Sequence, residues 1–517
     1  MALSYGIGPL QRVWRNRSAR HSAAMTARGR NVLRPRLLAI LMLASATAGC
    51  QTSLSETDTV LLTPSQSPQT VEQLSRDDPR AQLGAREHPR IVASYGGEYK
   101  DQRTELLLAR IVGKLTEVSE NPQQTYRVTV LNSPAINAFA LPGGYLYITR
   151  GLLALANDSA EIAAVISHEM AHVTANHGIE RQRREEAEEI ASRVVSEVLS
   201  GDLAGRQALA RGQMRLAAFS RNQELQADVI GIRMLGEAGY DPYAAARFLE
   251  SMAAFSRYRT AEPDDDPQMD FLASHPNAPQ RIELARRHAR AFGPEGVGDR
   301  DRDRYLDGIS GLLFGDSPDE GYVRGRTFLH PRLKIRFDVP EGFEIDNTAE
   351  AVLATGPRDV AIRFDGVEAE RGVGLQDYIR SGWVTGLDES SITTLDVNGL
   401  EAVSARAAAD RWEFDVTVVR LDNQIYRFLT AAPRGSNDLQ PTAAVLRRGF
   451  RELSAGEAVA LQPLRVNVER AGPGDTVASL SRRMEGTDRP EALFRTLNGL
   501  GSAAGLAPGT RVKLIVD

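Results

Sequence analysis

Apolar residues recur along this chain in two rhythms. Between Asp101 and Ser119, Leu106, Leu107, Ile111, Leu115 and Val118 fall at helical spacing. Tyr126, Val128 and Val130 then alternate with Arg127 and Thr129, the period of a half-buried strand, and Gly144 to Thr149 is a second extended stretch. Asp158 and Glu161 form a D-x-x-E helix start ahead of an Ala- and aliphatic-rich run from Ile162 to Val173, and Gly178 offers a stop. Another helical pattern runs from Phe219 through Asp228 and ends near the turn Gly239-Tyr240-Asp241-Pro242. Between these two helices, Ile179 to Gln213 is highly charged with an apolar interior, Ile190 to Leu199. It reads as a solvated helix pair or as a lid or membrane-facing hairpin.

The rhythm changes after about residue 292. Gly293 to Arg304 and Phe314 to Gly325 are rich in turn residues, so 293–326 reads as a linker. From 327 to 455 the period is two: Leu333, Ile335, Phe337 and Val339; Val360, Ile362 and Phe364; Trp412, Phe414, Val416 and Val418. Asp422-Asn423 suits a hairpin turn, with helices expected at Gln376–Val384 and Pro441–Leu453. These patterns predict an α+β domain with an antiparallel sheet and no catalytic cluster of its own, suited to binding or scaffolding. The last stretch, 464–517, predicts strand, helix, helix, strand: Val466 and Val468, then Gly474-Asp475-Thr476-Val477 opening a helix, then Pro490 to Asn498, then Val512 to Val516. At 517 residues the chain is therefore expected to be multidomain and α+β.

Composition alters this picture at one end. Residues 1–49 hold eight Arg and no acidic residue, which leaves 54 basic against 67 acidic side chains in the remainder. A nucleic-acid partner is excluded on that balance, because phosphate contacts need a basic surface. Arg28, Arg30, Arg34 and Arg36 precede the apolar run Leu37–Ala48, and Cys50 follows, the single cysteine of the chain. A basic segment and a short apolar run describe a secretory signal, with Met25 as an alternative start. The Ala48-Gly49-Cys50 junction resembles a bacterial lipoprotein signal, although Thr47 stands where Leu is usual; a plain signal peptide is the alternative. That resemblance implies lipidation of Cys50, and Gln51 after it points to the outer membrane. Residues 50–88, rich in Ser, Thr, Gln and Pro, read as a tether. One cysteine allows no intrachain disulfide.

The chemistry lies at Ser167-His168-Glu169-Met170-Ala171-His172. Histidines four apart leave a helix about 40° apart, so His168 and His172 can both ligate one Zn²⁺ while Glu169 serves as general base. Glu224 and Asp228 are also four apart. Glu224 can complete a two-His, one-Glu set that leaves a fourth position to water, and Asp228 can accept the outer N–H of a ligand histidine.

From about Arg90 to His288 the chain resembles the HtpX-like and BepA-like gluzincin metallopeptidases, a family that also holds the CAAX prenyl endopeptidases. Four motifs in order carry the resemblance. They are Asn137-Ala138-Phe139-Ala140 with Pro142-Gly143-Gly144; His168 to His172; Ser220-Arg221 through Glu224, Ala227 and Asp228; and Ser274-His275-Pro276 with Arg281. The resemblance implies a mainly α zinc metallopeptidase domain with a small sheet over 89–292. It implies one Zn²⁺ per chain on His168, His172 and Glu224, and Glu169 as base. Asn137, Ala138, Phe139 and Ala140 would lie on an edge strand that pairs with extended substrate, and His275 and Arg281 would stabilise the oxyanion. His275 precedes a proline, which favours extended or turn backbone; it could instead close the fourth zinc position. The implied substrates are unfolded or misassembled envelope proteins of the periplasm, with a chaperone-like or cell-wall-binding scaffold as the alternative.

The Gly474-Asp475-Thr476 opening, the Leu497-Asn498 pair and Leu506-Ala507-Pro508-Gly509 leading to Val512 resemble a LysM domain. This βααβ module is associated with N-acetylglucosamine polymers, which makes peptidoglycan an implied partner of 464–517; a small protein-binding cap is the alternative.

Overall fold

The computed structural model describes residues 79–177, 221–260, 275, 278–349, 351–369 and 372–517. Cys50, the signal, most of the tether and the charged segment Ile179–Gln213 lie outside these residues, as do Ser220, Ser274 and Pro276. Among the described residues no helix is long and apolar enough to cross a membrane.

The tether was expected to reach residue 88, but helix α1 (Pro79–Ser94) begins within it. A largely polar sequence and an internal Pro89 hide this helix. It is held by close approach: a Cβ on Gly84 would stand 2.5 Å from the Pro142 carbonyl oxygen, and one on Gly143 would stand 2.3 Å from the Ala81 Cα. Helix α2 (Gln102–Glu117) is N-capped by Asp101, which accepts from the Thr104 N–H at 3.0 Å. It buries Leu107, Leu108, Ile111, Val112 and Leu115, so Leu107, Ile111 and Leu115 face the core as expected, while Leu106 is 64% exposed.

Strands β1 (Arg127–Leu131), β2 (Ala138–Leu141) and β3 (Tyr145–Thr149) form a sheet in the order β1-β3-β2. β1 runs parallel to β3, and β2 is antiparallel to it. A short helix, α3 (Arg150–Leu155), leads to α4 (Ser159–Thr174), which carries the HExxH residues. Asp158 caps α4 by accepting from the Glu161 N–H at 2.9 Å, and the Glu161 carboxylate accepts from the Asn157 N–H at 2.8 Å. Such a cap contributes about 1 kcal/mol. The helix ends before Gly178: Asn176, at φ +55°, supplies the left-handed turn.

Helix α5 (residues 221–237), α6 (Ala244–Thr260) and α7 (Ala278–Ala289) complete the bundle. The stretch 293–326, expected as a linker, contains helix α8 (Arg302–Ile309), with Tyr305, Leu306 and Ile309 fully buried. The Tyr305 hydroxyl donates to the Leu153 carbonyl. Its Asp- and Arg-rich sequence conceals one apolar face at i, i+1, i+4.

β4 (Tyr322–Arg324), β5 (Thr327–His330), β6 (Ile335–Asp338) and β14 (Arg451–Glu452) form a sheet ordered β14-β6-β5-β4. A seven-stranded antiparallel sheet is ordered β10-β11-β12-β13-β9-β8-β7. Its strands are β7 (Glu344–Asn347), β8 (Val352–Gly356), β9 (Val360–Glu368), β10 (Leu387–Val397), β11 (Leu400–Ala409), β12 (Trp412–Leu421) and β13 (Gln424–Pro433). Phe328 and Phe337 from the small sheet pack on Phe364 and Phe428 from the large one. Helix α9 (Leu375–Arg380) covers the opposite face of the large sheet, and α10 (Leu439–Gly449) closes the aromatic core with Leu446.

After α11 (Ala455–Ala460), the last elements are β15 (Arg465–Arg470), α12 (Val477–Ser481), α13 (Pro490–Leu497) and β16 (Arg511–Val516), with β15 and β16 antiparallel. They do not stand apart. Leu464, Val466, Phe494, Leu514 and Ile515 belong to the same apolar core as Leu152, Ile162 and Met252.

Candidate active site

Three helices and a loop residue converge here. α4 presents His168, Glu169 and His172, α5 presents Glu224 and Asp228, and α7 presents Arg281. His275 comes from the segment just before α7. His168, Glu169, Glu224, Asp228, His275 and Arg281 are all buried.

The four donor groups of His168, His172, Glu224 and His275 lie within 4.8 Å of one another. His168 Nε2 is 3.1 Å from His172 Nε2 and 3.3 Å from Glu224 Oε2, and His172 Nε2 is 3.4 Å from Glu224 Oε1. A tetrahedral Zn²⁺ with bonds of about 2.0–2.1 Å holds its ligand atoms roughly 3.3–3.4 Å apart. The donor set fits this ion in kind and in spacing. Two ring nitrogens facing each other beside a carboxylate make a poor hydrogen-bond network but a good coordination site.

Electrostatics prepares these groups unequally. Burial and the charge on His168 push the His172 imidazole down to about 2, so it is neutral and free to ligate. Burial acts against charge on His168 too, but its bonds to Asp228 and Glu224 win and raise it to about 9. Glu224 is held well below the carboxylate range: burial opposes this, and the hydrogen bonds from His168 and His275 outweigh it. Burial raises Glu169. Below about pH 9 the metal-free site therefore carries a proton on His168 that a metal must displace. Zinc uptake at pH 7 should release about one proton from these side chains, with affinity rising roughly tenfold per pH unit up to about pH 9. Calorimetry in buffers of different ionisation enthalpy reads this directly; heats that do not vary with buffer would contradict it.

Asp228 ties the ligands to a rigid second row. Its Oδ1 lies 2.9 Å from His168 Nδ1, and both its oxygens accept from Arg281, at 2.7 Å each. Burial would raise its pKa, but the Arg281 and His168 bonds bring it down to about 2. The remaining Arg281 nitrogen, Nη1, is 3.0 Å from Glu224 Oε2 and 3.2 Å from the His275 carbonyl. This corrects the expected role of Arg281. A guanidinium 2% exposed and fully engaged with Asp228, Glu224 and His275 orients the ligands and offers no donor to an oxyanion. His275 is placed at the site, with Nδ1 2.8 Å from Glu224 Oε2 and 3.3 Å from His168 Nε2, and Nε2 3.5 Å from Glu169 Oε1. Glu169 Oε1 is a buried oxygen that accepts no hydrogen bond among the described residues.

The sequence reads His177 as a hydrogen-bonded helix-end histidine outside the site, so its place behind His172 was missed. Its Nδ1 is 3.1 Å from His172 Nδ1 and its Nε2 is 3.2 Å from the Gln226 side-chain oxygen, so it backs His172 as Asp228 backs His168. The two histidines are five positions apart, which is not a helical-face spacing; the left-handed turn at Asn176 brings His177 round. Gly231 was also missed. A Cβ there would lie 3.0 Å from the His168 amide nitrogen, so α4 and α5 meet closely only because this residue is glycine. Gly231→Val should force the helices apart, withdraw Glu224 and weaken zinc binding by about 10–100-fold. A competition titration with a chromophoric chelator checks this; unchanged affinity would contradict it.

β2 lies at the sheet edge and has no strand partner on its outer side among the described residues. Asn137 and Ala138 are buried, with the Asn137 amide donating to the Tyr95 hydroxyl at 3.1 Å. Phe139 is partly buried and stacks on Tyr147 with centroids 4.9 Å apart, and Ala140 is also partly buried. What β2 presents is its backbone edge.

Residues 102–289 match Peptidase family M48. The mitochondrial metalloendopeptidase OMA1 of Schizosaccharomyces pombe is 31% identical over 182 residues, 35% of this chain and 51% of that protein. The beta-barrel assembly-enhancing protease of Yersinia pestis is 30% identical over 192 residues, 35% of this chain and 38% of that protein. Its Escherichia coli (strain K12) namesake is 28% identical over 190 residues, covering 35% and 38%. The chain spans about half the length, or less, of these relatives.

Proposed function

We propose that this protein is a zinc-dependent endopeptidase of the bacterial periplasm, lipid-anchored through Cys50, that acts on misfolded or misassembled envelope and outer-membrane proteins. The observation that carries the reading is the convergence of His168 Nε2, His172 Nε2 and Glu224 at zinc-ligand spacing, with Glu169 beside them. Zn²⁺ held there supplies Lewis-acid polarisation of the scissile carbonyl and a water of lowered pKa. The protein's own part is positional. Glu169, raised by burial, can take a proton at Oε1 and return it to the leaving amine. Asp228, Arg281 and His177 keep the ligand rings in place. The outer edge of β2, unpaired among the described residues, can take an extended segment as an added strand, which selects unfolded chains with exposed strand edges. The barrel-assembly relatives' names support this substrate class and the envelope location; the mitochondrial relatives support the chemistry alone. The LysM likeness of 464–517 supports peptidoglycan as a further partner.

A second reading rests on His275. Its Nδ1 stands 3.3 Å from His168 Nε2 and 2.8 Å from Glu224 Oε2, near enough to take the fourth zinc position. In that case the chain is a chaperone-like or cell-wall-binding scaffold with a silenced site. X-ray absorption of the zinc-loaded protein separates the two: two nitrogens with two oxygens supports the peptidase, and three nitrogens with one oxygen supports the scaffold.

A further inference from the structure

The last strand of the chain reaches into the peptidase domain. Lys513, on β16, is fully buried, and its Nζ donates to three carbonyl oxygens: Ala154 at 2.8 Å, Leu155 at 3.0 Å and Ala156 at 2.7 Å. These belong to the final turn and cap of α3, where no further helical N–H is available. Burial pulls the Lys513 amine down to about 7, and the three carbonyls at the negative pole of the helix favour its ammonium form. Its three donors meet three acceptors, so the site is filled. Only Asn157 and the N-cap Asp158 separate this clamp from α4, the helix of His168, Glu169 and His172.

Other bonds fix the same link. Arg302 donates to the Asn157 carbonyl at 2.6 Å and to the Arg511 carbonyl at 3.1 Å, bridging the α3–α4 junction to β16. Asn498 grips the Lys513 backbone in both directions, donating to its carbonyl at 3.0 Å and accepting from its N–H at 2.7 Å. On the far side, residues 311–314 pair with β15 through Gly311 N–H to Val466 O at 2.7 Å and Val466 N–H to Leu312 O at 2.8 Å. Arg489 donates to the Tyr258 carbonyl at 2.6 Å and lies over its ring at 4.3 Å. A domain hung on a tether would present a wet polar face here. This one shares an apolar core with α3, α4 and α6.

We propose that Lys513 is a positioning residue for the peptidase site, fixing the base of α4 through the last carbonyls of α3, so that 464–517 is a working part of the peptidase as well as a surface for partners. The proposal rests on the zinc-peptidase reading, but its test does not depend on turnover. A shift at the base of a rigid helix is carried along it to His168, and a misplacement of about 1 Å at a catalytic centre can cost some 10²-fold in rate.

The test uses the full chain as wild type, Lys513→Met, which keeps length but has neither charge nor donors, and Lys513→Arg, which keeps both. A fourth sample is wild type with a specific protease site inserted at Gln462 and then cut. Cobalt substituted for zinc reports ligand geometry through its visible absorption, chelator challenge reports metal retention, and kcat and KM are read separately. The expected results are a shifted cobalt band, metal loss roughly tenfold faster and a kcat about 10–100-fold lower with KM little changed in Lys513→Met. Partial recovery in Lys513→Arg, and a cut fragment that stays bound through gel filtration, complete the expectation. A folded Lys513→Met with the wild-type cobalt band and metal retention would overturn the proposal. If that variant does not fold, the cut chain decides. A fragment that leaves while the cobalt band is unchanged overturns the proposal, and a band that changes as the fragment is stripped supports it. A cobalt shift without cleavage by any sample, wild type included, would sink the peptidase reading and leave the positioning role standing.

Discussion

Glu169→Gln is expected to keep zinc bound and to lose about 10²–10⁴-fold in kcat, the range that a general base contributes. Gln has the shape of Glu but cannot take the proton. Glu169 does not belong to the converging ligand set, so metal content should not change. The variant should also fold at least as well as wild type, because Glu169 Oε1 is buried without a hydrogen bond and burial already disfavours its charge. Zinc content by atomic emission beside a peptide-cleavage rate checks both halves. Retained turnover, or lost zinc, would mean that another group is the base or that Glu169 is a ligand.

Glu224→Ala should be the most damaging single change for metal and fold together. Its carboxylate meets His168, His172, His275 and Arg281 at 2.8–3.4 Å, and all but His172 are buried. Removing it strands cationic and polar groups in the interior, and breaking a buried pair from one side costs about 3–5 kcal/mol. Asp228 still holds Arg281, which places the loss near the lower figure. Added zinc raises the melting temperature of a protein whose folded state alone binds it. That rise should appear in wild type and vanish in Glu224→Ala. A variant that zinc still stabilises would move the third ligand elsewhere, with His275 the first candidate.

Much of this site could be read from sequence because its parts lie on helices. A D-x-x-E start places the HExxH helix, and i, i+4 spacing puts His168 with His172 and Glu224 with Asp228 on common faces. The strands between 327 and 455 were legible for the related reason that apolar residues alternate along them, as buried and half-buried positions do through most of β13. What escaped depends on contacts distant in sequence. Arg281 is committed to partners some fifty residues away, so its role as an orienting group rather than an oxyanion donor could not be seen. His177 depends on a backbone turn at Asn176. Helix α1 is held by close glycine contacts as well as by Ile91 and Val92 packed on the small sheet. Lys513, between Val512 and Leu514, has the look of a solvent-facing strand position, yet both faces of that strand are buried. The apparent linker before residue 326 and the apparently separate last domain proved to be packed on the peptidase for the same reason: a short apolar face is invisible until its partner surface is known.

The central claim is that His168, His172 and Glu224 hold a zinc ion at which Glu169 drives hydrolysis. The most direct measurement is a time course of cleavage of an unfolded β-barrel protein by the zinc-loaded chain, run beside chelated, zinc-restored and Glu169→Gln samples. Cleavage should stop with chelator, return with zinc and be absent in Glu169→Gln. Cleavage that persists in chelator or in Glu169→Gln, or a zinc-loaded chain that cuts nothing even as His275→Ala, would contradict that claim.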